Sequence, residues 1–182
     1  MIRVSPHPRP GDRRPDAASM LRVDQAGEYG ATRIYAGQLA VMGDRTPAAR
    51  IVAGMAAQEE AHRARFDAMI VERGVRPTAL QPLWNAAGFA LGAVTAAIGP
   101  EAAMACTAAI ETEIDRHYGK QLEELGDSDP ELSDRIREFQ ADEVAHRDHA
   151  LAAGAERAPA YPLMFHAIRL GCRAAIALSK RI

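Results

Sequence analysis

Gln58-Glu59-Glu60-Ala61-His62-Arg63 (QEEAHR) and Asp142-Glu143-Val144-Ala145-His146-Arg147 (DEVAHR) decide how this chain is read. Each contains a Glu-x-x-His pair. Residues three apart share one face of an α-helix, so each pair aims a carboxylate and an imidazole at a common point. That geometry is a chelate. A single Glu-x-x-His pair is weak evidence, because most such pairs on helices are solvated or form surface ion pairs. The surrounding register strengthens it. Glu28 in QAGEYGA precedes the first pair by nearly the interval at which Glu111 in AAIETEI precedes the second, giving the order Glu, Glu-x-x-His, Glu, Glu-x-x-His.

Apolar periodicity places all six residues on buried helix faces. A first helix, with Ser19 as N-cap and an end near Gly43, carries the stripe Leu21, Glu28, Tyr35, Leu39, Met42. A second, over residues 48–73, aligns Ile51, Met55, Glu59, His62, Phe66 and Met69 before Gly74 and Pro77 close it. A third, after Pro100, aligns Met104, Glu111, Ile114, Tyr118 and Leu122 or Leu125. A fourth, after the GDSDP turn, aligns Leu132, Ile136, Phe139, Glu143, His146 and Ala150. The expected fold is therefore an all-α four-helix bundle, with residues 20–74 and 101–154 as internal repeats.

An ionised carboxylate in an apolar interior costs several kcal/mol unless its charge is offset. Two divalent cations would balance Glu28, Glu59, Glu111 and Glu143, with neutral His62 and His146 adding nitrogen donors. Such mixed carboxylate and imidazole donors suit iron or manganese rather than a thiolate zinc site. One Glu from each of two helices and Glu-x-x-His from each of the other two is the known ligand plan of ferritin-like di-iron bundles. Around this set, Asp142 is a candidate to orient a ligand histidine, with Gln58 at the equivalent place in the other half. His117, Tyr118 and His149 are candidate neighbours of the ligands. Glu60, Glu113, Glu123 and Glu124 fall off the stripes and are expected on wet helix faces.

The rest of the chain narrows the setting. Its 182 residues are 48% hydrophobic and 25% charged, which fits one globular domain with a substantial core. A net charge of −2 gives no electrostatic case for nucleic acid. Cys106 and Cys172 stand far apart, forming neither a metal knuckle nor a disulfide framework. Residues 1–19 (MIRVSPHPRPGDRRPDAAS) read as a mobile tail without the apolar run of a secretory signal. The tail is rich in arginine, but Asp12, Asp16 and its prolines argue against a mitochondrial presequence.

Two apolar segments flank the second repeat. The uncharged stretch from Pro77 to Pro100 (PTALQPLWNAAGFALGAVTAAIGP) is broken by Gln81, Pro82 and Asn85, so it reads as a crossover helix rather than a membrane span. The run after Ala160 interleaves Arg169, Arg173, Lys180 and Arg181 with Leu163, Phe165, Ile168, Leu170, Ile176 and Leu178. It reads equally as an interfacial helix facing anionic headgroups and as a last helix docked on the core.

The motifs RVDQAGEYGA, QEEAHR, CTAAIETEIDRHY, ADEVAHRDHA and APAYPL together resemble the demethoxyubiquinone hydroxylase family, the di-iron monooxygenases of ubiquinone biosynthesis, over residues 20–182. The resemblance implies a ferritin-like bundle lying peripherally on the inner face of a bacterial cell membrane, with the matrix side of the mitochondrial inner membrane as the alternative. It implies hydroxylation of a polyprenylated methoxy-methyl benzoquinol, with O2 as co-substrate and an external reductant for which NADH is the candidate. Position by position, the family's iron ligands fall on Glu28, Glu59, His62, Glu111, Glu143 and His146. A homodimer and a lipid-binding accessory protein stand open as partners. A ferritin-like iron oxidase, iron-storage or peroxide-handling protein would share the ligands, and a metal-free helical adaptor would leave the glutamates on the surface.

Overall fold

The computed structural model describes residues 16–182, which form six α-helices and one short 3-10 turn. Residues 1–15, the greater part of the expected tail, lie outside the described residues. The first helix begins earlier than its apolar periodicity suggested. Helix α1 spans Ala17–Met42 and is capped by Asp16, whose side chain accepts from Ser19 N at 3.0 Å, so Ser19 lies inside the helix. A carboxylate satisfies an orphan first-turn amide at least as well as a hydroxyl does.

The remaining boundaries follow from Pro, Gly and capping chemistry. Helix α2 (Pro47–Glu72) is capped by Thr46, and α5 (Pro130–Ala152) by Asp129, which accepts from Leu132 N at 3.1 Å. Helices α3 (Gln81–Ile98), α4 (Pro100–Leu125) and α6 (Tyr161–Ser179) carry proline in the first turn, where its missing N–H costs no hydrogen bond. Gly99 alone separates α3 from α4, at φ 152°, a value that excludes most side chains.

Helices α1, α2, α4 and α5 make the bundle, with α1 packed on α2 and α4 packed on α5. Two apolar layers fill its ends. Tyr35, Val52, Met55 and Met104 meet in one layer, and Leu21, Phe66, Tyr118, Leu125, Ile136 and Phe139 meet in the other. On every one of the four helices the six candidate ligands fall between these layers.

The Pro77–Pro100 stretch does form a crossover helix. Helix α3 lies against α1 so closely that a Cβ on Gly37 would stand 2.1 Å from Phe89 O, and one on Gly92 would stand 1.9 Å from Ile34 O. Only glycine permits that approach. Among the described residues no helix is long and apolar enough to cross a membrane.

Helix α6 docks on α4, and the contact corrects one expectation. Glu113 was expected on a wet face, yet it is 1% exposed. It accepts from Arg169 Nε at 2.6 Å, Arg173 Nη2 at 2.7 Å and Arg116 Nε at 3.0 Å. Burial acts to raise the Glu113 carboxyl, but the bonds from Arg173 and Arg169 hold it at about 2. Two of the four basic side chains expected to meet headgroups therefore turn inward, while Leu163, Leu170 and Leu178 remain exposed.

Candidate metal centre

Four helices bring six side chains to one point at the middle of the bundle. Glu28 comes from α1, Glu59 and His62 from α2, Glu111 from α4, and Glu143 and His146 from α5. None is more than 4% exposed. They form two overlapping sets, Glu28, Glu59, His62 and Glu143, and Glu59, Glu111, Glu143 and His146, with the donor atoms of each set within 4.8 Å of one another. Glu59 and Glu143 belong to both. Two positions four-ligated in this way would share two bridging carboxylates.

The donor atoms are left without ordinary partners. Both oxygens of Glu59 and Glu143, Oε2 of Glu28 and Glu111, and Nδ1 of His62 and His146 are buried and accept or donate no hydrogen bond. Unpaired buried polar atoms are rare and costly, so a convergence of them requires an occupant. They are close enough to crowd one another. His62 Nδ1 stands 3.3 Å from Glu143 Oε1, and His146 Nδ1 stands 3.1 Å from Glu59 Oε1.

Electrostatics give the occupant its sign. Burial, then repulsion from neighbouring carboxylates, pushes Glu59 and Glu111 well above the usual carboxylate range. Burial raises Glu28 as well. Burial would raise Glu143, but the His146 and His62 rings beside it hold it at about 2. Despite burial, the Glu143 and Glu28 carboxylates beside it push His62 up to about 10. The cluster thus draws protons where it lacks cations. Two divalent ions would supply charge equal and opposite to that of four carboxylates.

Each ring is oriented from its far side. His62 Nε2 donates to Asp142 Oδ2 at 3.1 Å, and His146 Nε2 meets Gln58 Oε1 at 2.9 Å. A carboxylate accepts, so this contact keeps a proton on His62 Nε2, and with a cation in the cluster Nδ1 would turn its lone pair toward it. The two partners exchange between halves, Asp142 of α5 serving His62 of α2 and Gln58 of α2 serving His146 of α5.

The lone glutamates are paired in the same crossed manner. Tyr35 of α1 donates to Glu111 Oε1 of α4 at 2.7 Å, and Tyr118 of α4 donates to Glu28 Oε1 of α1. Sequence reasoning placed Tyr35 in a core stripe and did not single it out. The signal was present, since each tyrosine follows its own helix's glutamate by two helical turns.

The other candidates sit elsewhere. His117 Nε2 faces Asp24 Oδ1 at 3.5 Å, and Gln121 donates to the same Asp24 oxygen at 2.8 Å. His149 is exposed on α5. Among the described residues neither has a hydrogen bond or ion pair to the six donors.

An apolar cavity of about 530 Å³ lies beside the bundle between α1, α3, α4 and α6. Ile34, Leu91, Ile110, Ile114, Ile168 and Ile176 line it. Its α1 and α4 walls are the helices that carry Glu28 and Glu111, and Gly27 and Ile110 in those walls directly precede the two glutamates. The volume lies within the range of sites that bury small organic molecules.

Known proteins match this chain along most of its length. The 3-demethoxyubiquinol 3-hydroxylase of Rhodospirillum rubrum is 51% identical over 175 residues, covering 95% of this chain and 82% of that protein. The human NADPH-dependent 3-demethoxyubiquinone 3-hydroxylase, mitochondrial, is 49% identical over 167 residues, covering 90% of this chain and 76% of its own. The Saccharomyces cerevisiae 5-demethoxyubiquinone hydroxylase, mitochondrial, is 41% identical over 179 residues, covering 90% and 77%. A profile of the family described as "Ubiquinone biosynthesis protein COQ7" matches residues 15–179, and the chain belongs to that family.

Proposed function

We propose that this protein hydroxylates the ring of a polyprenylated demethoxyubiquinol with O2, as a di-iron monooxygenase of ubiquinone biosynthesis. The observation that carries the reading is the buried convergence of Glu28, Glu59, His62, Glu111, Glu143 and His146, whose donor atoms lack partners. Those six side chains would hold two iron ions, with Glu59 and Glu143 common to both. Bound ferrous iron supplies the reduction of O2 that ring hydroxylation requires.

The chain's own residues arrange the rest. Asp142 and Gln58 fix the imidazoles, and Tyr35 and Tyr118 fix the single glutamates, so the donors stand ready before metal enters. The apolar cavity receives the quinol and excludes water from the neighbourhood of the cluster. One oxygen atom enters the ring and the other leaves as water, which draws two electrons from an external donor. A reduced nicotinamide is the donor class we assign: NADH was the expectation from sequence, and NADPH dependence appears in the human relative's name.

Exposed Leu83, Val94, Ile98, Leu163 and Leu170 give α3 and α6 an apolar outer face suited to a membrane surface. The protein would lie peripherally on the inner face of a bacterial cell membrane, or on the matrix side of a mitochondrial inner membrane. A second copy or a lipid-binding accessory protein would dock on the same apolar face.

The test is to load purified protein anaerobically with ferrous iron, add the reduced methoxy-methyl quinol and then O2, and analyse the quinol by mass. The expected product is heavier by one oxygen. Unchanged quinol with rapid ferric mineral would instead support a storage protein built on the same ligands.

A further inference from the structure

Glycine inside a helix is destabilising relative to alanine, so each one calls for a structural reason. Gly37, Gly88 and Gly92 have theirs in the α1–α3 crossing, where an added Cβ would lie within about 3 Å of opposing atoms. Gly27 and Gly30 of α1 and Gly171 of α6 have none of that kind. An added Cβ at each meets nothing within 4 Å, and none has a left-handed backbone. All three border the apolar cavity.

We infer that Gly27, Gly30 and Gly171 set the width of this cavity and thereby determine which side chain a quinol can carry into it, the occupant being a methyl-branched isoprenoid chain. This rests on the quinol reading given above. The hydrogen-bonding side chains of the lining fit a hydrocarbon occupant, because Trp84 Nε1 donates to Ser179 Oγ at 3.1 Å and the two satisfy each other. Cys172, also in the wall, has its thiol pushed up to about 12 by burial and stays neutral. Gly27 and Gly171 are themselves exposed, so the cavity opens outward and a long chain can continue beyond it. Bare backbone at three places on facing walls leaves clearance for the methyl branches that side chains would otherwise fill.

Trp84, the one tryptophan of the chain, lines the cavity and reports occupancy directly. Iron-loaded full-length protein is titrated with the oxidised demethoxyubiquinone ring carrying several isoprene units, and with the same ring carrying only a methyl group, while tryptophan quenching is followed. Gly30→Leu and Gly171→Leu are expected to weaken binding of the isoprenoid form about tenfold or more, while the methyl form changes less than about threefold. Gly54→Leu serves as control, since Gly54 also meets nothing within 4 Å but lies on α2 outside the cavity. Gly30→Ala and Gly171→Ala, which favour the helix, are expected to shift affinity in the same direction by less.

Equal affinity of the isoprenoid form for wild type and the leucine variants would overturn the assignment, as would equal loss for both forms. A wild-type protein that binds neither form and makes no hydroxylated product would overturn the quinol reading itself. Wild-type turnover with unaffected variants would overturn only the role of the glycines.

Discussion

Tyr35 on α1 donates its phenolic hydrogen to Glu111 on α4 at 2.7 Å, and the mirror relation joins Tyr118 on α4 to Glu28 on α1. Each helix thus carries one candidate ligand and the group that steadies the other's ligand. Burial, then the charge of the facing glutamate, raises both phenols well above their ordinary value, so both remain hydrogen-bond donors at neutral pH. Tyr35→Phe is expected to lower affinity for the metal set containing Glu111 by about 10- to 100-fold. The fold would lose about 1–2 kcal/mol from the carboxylate oxygen left unpaired. Competition against a chromophoric chelator reads the first and thermal unfolding the second. Wild-type metal affinity in Tyr35→Phe would remove the tyrosines from the site.

Sharing of Glu59 and Glu143 between the two donor sets separates the ligands by consequence. Glu28→Ala and Glu111→Ala each touch one set, whereas Glu59→Ala and Glu143→Ala touch both. Iron analysis of the purified variants should therefore find about one ion per chain in the first pair and none in the second, given that an incomplete ligand set loses most of its affinity. Equal iron content in all four variants would mean that no bridging arrangement exists.

Metal removal should loosen the molecule, because only protons are then left to offset the four buried carboxylates and the binding free energy of the metal to the folded state is lost. Binding to the folded state alone contributes about 4 kcal/mol when free metal is a thousand times Kd. For a domain of this size that corresponds to a rise in Tm of roughly 10 °C. Scanning calorimetry before and after exhaustive anaerobic chelation measures the difference. An unchanged Tm would speak against metal in the core.

Much of this architecture was legible because one periodicity governed both packing and chemistry. Glu28, Glu59, Glu111 and Glu143 stood in stripes that otherwise held Leu, Ile, Met and Phe, and only a bundle whose interior held charge could accommodate that. Tyr35 was hidden by the same logic, since an aromatic in an apolar stripe looks like core until its hydroxyl is traced across to another helix. Glu113 was misread for the opposite reason. Helical spacing puts it off the α4 core stripe, but α6 arrives from far along the chain to cover it, and local periodicity carries no information about that contact.

The clasp on Glu113 yields its own prediction. Removing one partner of a buried ion pair leaves the others uncompensated, a loss of several kcal/mol when burial is complete. Here the arginines are partly solvated, so Glu113→Ala should cost about 2 kcal/mol. The loss is expected to concentrate in α6. Amide exchange should quicken along Tyr161–Ser179 while α2 and α5 keep their protection, and uniform behaviour across all helices would contradict the clasp.

Acid should release a second clasp, at the end of the bundle where α5 begins. Asp129 caps α5 and pairs with Arg73 at the end of α2, where Arg73 also donates to Glu131 at 2.8 Å. Burial would raise the Asp129 carboxyl, yet hydrogen bonding to Arg73 and Leu132 N lowers it from the ordinary value. A group depressed in the folded state contributes fully above its unfolded pKa of about 3.9 and loses that contribution as pH falls through the folded value. Asn caps a helix about as well as Asp but carries no charge, so Asp129→Asn isolates the ion pair. At neutral pH the variant should be less stable by about 0.5–1 kcal/mol, and the gap should close as acidity increases past the carboxylate range. Urea unfolding across that range is the measurement. A gap that stays constant into strong acid would show that Asp129 acts through its cap alone.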